Sequence, residues 1–129
     1  MNPDDKEQLL DTSFRFVSWL RNHFPEAKDR ILEDAISFNG SFGELIRTTP
    51  TLFWSYVGDR DYDILTRKSD NGESILDRVT EIIRNAPSAV RNEVVVGFVE
   101  GHMFPRPDSP LAHDLRKALG PDIGLGDVF

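Results

Sequence analysis

The chain of 129 residues contains no cysteine. That absence removes a disulfide framework, thiolate metal ligands and a cysteine nucleophile in one step. Long apolar runs are missing as well, since nothing approaches the roughly 20 consecutive apolar residues of a membrane span. The N-terminus, MNPDDKEQLL, is acidic and polar where a secretory signal would carry a basic segment followed by an apolar one. The expected setting is therefore cytoplasmic, with no membrane partner. Positive charge is scarce too. Fifteen Lys and Arg face 22 Asp and Glu, for a formal net charge of −7, so DNA or RNA would be repelled at long range rather than steered in. Nucleic acid is not an expected ligand.

The motifs of catalysis are equally sparse. The serines include no G-x-S-x-G elbow, and several occupy cap or turn positions where the hydroxyl serves the backbone. The glycine-bearing segments 40–43 and 120–126 lack the lysine and the strand-to-helix context of a phosphate-binding loop. His23, His102 and His113 form no i, i+4 pair and match no common zinc spacing. Asp59, Asp61 and Asp63 fall at the first, third and fifth positions of a calcium loop. Ile64 then stands where that loop needs a glycine, and Asp70 where it needs a glutamate. No catalytic residue, metal site or cofactor is expected on these grounds. One convergence stays open: Glu100, His102, His113 and Asp114 could meet across a proline-containing loop as the two-histidine, two-carboxylate site of a small metal-dependent hydrolase.

What is present organises a helical protein. A chain of this length buries roughly two-thirds of its unfolded surface, enough for a core without staples. From Pro3 to His23, Leu10, Phe14, Val17, Leu20 and Phe24 make one helical stripe and Phe16, Trp19 and His23 a neighbouring one, so this helix should pack on more than one side. Phe24-Pro25 breaks it. A second helix is expected over Glu26 to Phe38, ending at Asn39-Gly40. Ser41 and Glu44 have capping-box spacing for a short helical turn. Pro50 then starts TLFWSYVGDRDYDILTRK, closed by the turn residues Asp70-Asn71-Gly72. Glu73 to Asn85 is amphipathic.

Pro87 and Ser88 open a further segment whose Val90, Val94, Val95, Phe98 and Val99 recur at helical spacing, and Ser109-Pro110 opens another that ends at Gly120-Pro121. The run EVVVGFVE from Glu93 to Glu100 also suits a buried strand. With no partner strand of comparable strength, helix is the better reading, and Gly97 and Gly101 then mark close approach of another helix carrying a bulky Phe or Trp. The expected fold is an all-α single domain, residues 1–129, of five to seven helices, with a flexible glycine-containing tail at 120–129.

Acid and aromatic character coincide in the first half. Residues 1–64 hold 12 acids and 7 bases, and ten of the 13 aromatics lie between Phe14 and Tyr62. In TLFWSYV, Leu52, Phe53, Trp54, Tyr56 and Val57 point around nearly the whole circumference of a helix. Either that helix is central and covered on both sides, or an aromatic is left exposed. In the second case Trp54 or Tyr56, with Asp59, Asp61, Tyr62 and Asp63 close behind, makes an aromatic anchor with an acidic rim for a basic protein partner.

The segment VRNEVVVGFVEGHMF, followed about ten residues later by LRKALGPDI, resembles the C-terminal part of small, acidic, helical bacterial proteins of unassigned function, some of them similar to immunity proteins that neutralise secreted toxins. The resemblance implies a stoichiometric protein binder with no catalytic residue, and the net charge suits a basic toxin domain as target. The leading expectation is an immunity-like inhibitor of a basic effector. The alternatives are the hydrolase above and an adaptor or regulatory subunit unrelated to toxins.

Overall fold

A computed structural model describes residues 2–34 and 41–100, together with His113 and Lys117 as single helical positions. Asn2 accepts a hydrogen bond from the Asp5 backbone N–H at 2.8 Å, and Pro3 follows as the first helical residue of α1, Pro3–His23. Asp4 and Asp5 sit in its first turn and Arg21 and His23 in its last, the charge order that the helix dipole favours. Phe24 ends the helix, and α2, Pro25–Asp34, restarts on Pro25. The expected continuation to Phe38 and the Asn39-Gly40 stop lie outside the described residues.

Ser41 caps α3, Phe42–Thr48, by accepting from the Glu44 N–H at 3.3 Å. After α4, Pro50–Arg60, the chain tightens into a 3-10 turn at Tyr62–Ile64. Gly72, at φ 81°, makes the turn expected of Asp70-Asn71-Gly72. Helix α5, Ile75–Asn85, starts on a complete capping box between Ser74 and Asp77. Helix α6 is Ser88–Val94, with Pro87 itself in the cap position and no side chain bonding the first N–H groups. Six α-helices and no strand occur among the described residues, as the all-α expectation requires. No helix among them is long and apolar enough to cross a membrane.

Residues Val95–Glu100 continue α6 as a π-helix, a refinement that helical spacing does not announce. The wider i→i+5 turn lets Val94, Val95, Phe98 and Val99 all be buried while Val96 alone stays 44% exposed. This segment lies along α4. A Cβ on Gly97 would stand 2.4 Å from the Thr51 carbonyl oxygen and 2.7 Å from the Trp54 Cβ, so the glycine is the condition for that approach, as expected. Gly101, the proline loop, the Ser109-Pro110 helix and the tail from 120 lie outside the described residues.

Helix α4 is the centre of the packing, with α2, α3, α6 and the π-segment against it. Phe53, Trp54 and Val57 have no exposure, and Leu52 and Tyr56 pack on the same core. Phe16 of α1 meets the Trp54 ring at 4.8 Å and the Phe53 ring at 6.3 Å. Ser13 ties the two helices together: its hydroxyl donates to the Leu9 carbonyl at 2.8 Å and accepts the Trp54 indole N–H at 3.1 Å.

Candidate functional site

The aromatic anchor expected behind TLFWSYV is not formed by Trp54. That residue lies in the core with its N–H bonded to Ser13, because α4 is covered on both sides. Tyr56 is half-buried against the core, and Tyr62 falls in the 3-10 turn. Asp61, which caps the C-terminus of α4, is buried, Asp59 is half-buried, and both are engaged by neighbours within the fold. Asp63 is exposed but committed. The Arg30 guanidinium donates to its two oxygens at 2.5 and 3.3 Å, a bidentate pair that ties α2 to the turn after α4. The same hydrogen bonds hold the Asp63 carboxyl below its usual range and raise the Arg30 guanidinium. Asp59, Asp61 and Asp63 are thus divided between interior and exterior, and do not form one acidic rim.

Concave surface lies elsewhere, across α1 and α5. Phe16 and Ile82 floor a groove of about 220 Å³ between the two helices, with Asp11, Arg15, Arg78 and Glu81 along its edges and Asn85 at one end. A second hollow over Asp4, Glu7, Gln8 and Asp11 joins it at Asp11, and a third over Leu76, Asp77, Thr80 and Arg84 joins it at Glu81 and Asn85. The three form one trough.

Its charges fall into two sets. Arg15 binds Asp11 at 3.0 Å, Lys68 binds Asp77 at 2.5 Å, and Arg78 lies over the Trp19 ring at 5.5 Å with Glu73 at 3.7 Å. Lys68, helped by the Ser74 hydroxyl and N–H, holds the Asp77 carboxyl below its usual range. Asp4, Glu7 and Glu81 have no ion-pair partner among the described residues. These acids are uncommitted.

Sequence reasoning did not single out this trough. Asp4, Glu7, Gln8 and Asp11 do fall at i, i+3, i+4 and i+7, one stripe of α1, and Glu81 and Asn85 lie one turn apart on α5. Which helix α5 would face is a tertiary fact that no local spacing encodes.

No set of three His, Cys, Asp or Glu capable of holding a metal occurs among the described residues. The Glu100, His102, His113 and Asp114 constellation falls largely outside them: His113 is exposed on a helix, His102 and Asp114 are not described, and of Glu100 only the backbone is. Compared with known proteins, the chain matches no family model, no curated protein and no solved structure.

Proposed function

We propose that the chain is a non-catalytic protein-binding domain of the immunity-like kind, which covers a basic effector or toxin domain in the cytoplasm by presenting the α1 and α5 trough. The observation that supports this reading most is the division of charge along that trough. Asp4, Glu7 and Glu81 face solvent with no ion-pair partner among the described residues, whereas Asp11, Arg15, Asp77 and Arg78 along the same surface are each engaged by a charged neighbour. Unpaired carboxylates of this kind add to a negative field that steers a basic domain during encounter. The overall charge of −7 acts in the same direction.

The test is affinity capture from the native host, run in parallel with the wild-type chain and the variant Asp4→Asn/Glu7→Gln. The expected result is a protein with a basic domain, bound at one to one, whose activity falls in proportion to the amount of this chain added. The double variant should associate several-fold more slowly at low salt, with the difference shrinking as salt rises. A captured protein whose activity is unaffected overturns the inhibitor reading. Wild-type association by the double variant at low salt overturns the placement of the contact face.

A further inference from the structure

We infer that the groove between α1 and α5 receives one arginine or lysine side chain of a protein partner, its aliphatic stem against Phe16 and Ile82 and its cationic head on the Glu81 carboxylate. The inference rests on the protein-binding reading above and names the group that reading requires. Size is the first argument. The part of the trough that Phe16 and Ile82 floor, about 220 Å³, has room for a single long side chain whose stem is apolar and whose head is charged.

Charge is the second. Of the four charged residues along the groove, Asp11 and Arg15 neutralise each other at 3.0 Å, and Arg78 is occupied by the Trp19 ring at 5.5 Å and Glu73 at 3.7 Å. Glu81 alone among them has no charged partner among the described residues. An incoming carboxylate would be repelled by Glu81. An incoming cation would pair with it.

Donor geometry is the third. Asn85 donates one of its two amide N–H groups to the Glu81 backbone carbonyl at 3.0 Å, and its side-chain oxygen is an acceptor one helical turn from the Glu81 carboxylate. A guanidinium with five N–H donors can satisfy a carboxylate and an amide oxygen together, whereas an ammonium is a point charge. Arginine is therefore the better fit of the two.

The experiment is a titration of the ¹⁵N-labelled full chain with N-acetyl-arginine amide, with N-acetyl-norleucine amide and N-acetyl-glutamate amide as neutral and anionic controls. Only the arginine compound should produce saturable shifts, at the backbone amides of residues 12, 16, 81, 82 and 85. Glu81→Gln should weaken it about tenfold, the worth of a hydrogen bond to a charged group. Asn85→Arg, which supplies a resident guanidinium at the groove end, should abolish binding while leaving resonances elsewhere in place. Saturation by the glutamate compound, equal binding of the norleucine compound, or an unchanged affinity in Glu81→Gln overturns the inference. The two readings fail separately. Binding of the arginine compound with no effector inhibited removes the immunity-like function and leaves the groove, whereas an inhibited effector held equally well by Asn85→Arg removes the groove and leaves the function.

Discussion

Replacing Gly97 by alanine should destabilise the protein by about 2 kcal/mol, although alanine is the better helix former. The added Cβ would lie 2.4 Å from the Thr51 carbonyl oxygen and 2.7 Å from the Trp54 Cβ, with the Ser55 nitrogen at 3.3 Å. None of these atoms belongs to the free end of a side chain, so relief requires α4 to move away from the π-segment. Overpacking of this kind costs about 1–3 kcal/mol, and rigid obstacles place Gly97 at the upper end. The gain in helix propensity returns about 1 kcal/mol at most. The net of about 2 kcal/mol corresponds to a fall in Tm of roughly 8 °C for a domain of this size.

Urea and thermal unfolding of the variant measure it directly. Gly43→Ala is the control, because there the nearest atom is the tip of the flexible Arg47 side chain at 3.0 Å, and its effect should stay within about 0.5 kcal/mol. Trimming Thr51 to alanine or Trp54 to phenylalanine should not rescue Gly97→Ala, since the carbonyl oxygen and the Cβ remain. A Gly97→Ala protein as stable as the wild type would show that α4 and the π-segment are not held at this separation, and would refute the packing argument.

Two further outcomes are expected. Ser13→Ala deprives the buried Trp54 N–H of its acceptor and should cost about 1–3 kcal/mol in urea unfolding; a smaller loss when the same change is made in a Trp54→Phe background checks the cause, and equal losses would contradict it. Asp77 is held below its ordinary value of 3.8, first by Lys68 and then by the Ser74 cap, so its contribution is present above the unfolded value and disappears as pH falls through the lower folded one. Lowering the pH from about 5 to about 2 should therefore lower the urea midpoint, and less steeply in Asp77→Asn; parallel acid limbs in the two proteins would contradict the linkage.

The helices were legible where local chemistry fixes them. Asn2, Pro3 and the Phe24-Pro25 break bound α1 at Pro3–His23, and Ser74 with Asp77 announces the start of α5. The close approach at Gly97 was readable for the same reason, because a glycine inside an apolar helical run needs a neighbour to explain it. The π-turn at Val95–Glu100 was not. It follows from four buried side chains competing for one side of the helix against α4, which only the packed structure specifies.

The site was far less legible. The aspartates at 59, 61 and 63 read as one exposed acidic run, yet the structure buries Asp61 and gives Asp63 to Arg30, 33 residues away in the chain. Pairing at that separation leaves no local trace. Trp54 was ambiguous for a related reason, since an all-round apolar helix is either central or anchoring, and the choice depends on how many neighbours the remaining chain supplies.

Phe16 floors the groove and at the same time touches both indoles, 5.8 Å from Trp19 and 4.8 Å from Trp54. The indoles are chemically unlike. Trp54 is sealed in the centre with its N–H satisfied, whereas Trp19 sits beneath the Arg78 guanidinium with no acceptor for its N–H among the described residues. The two indoles therefore sit in unlike surroundings, Trp54 at the centre of the core and Trp19 at its margin under a cation that lines the groove. A side chain held beside Arg78 would change the surroundings of the Trp19 ring and with them its emission. A Trp54→Phe protein would isolate that signal, making the molecule a label-free optical sensor of its own occupancy.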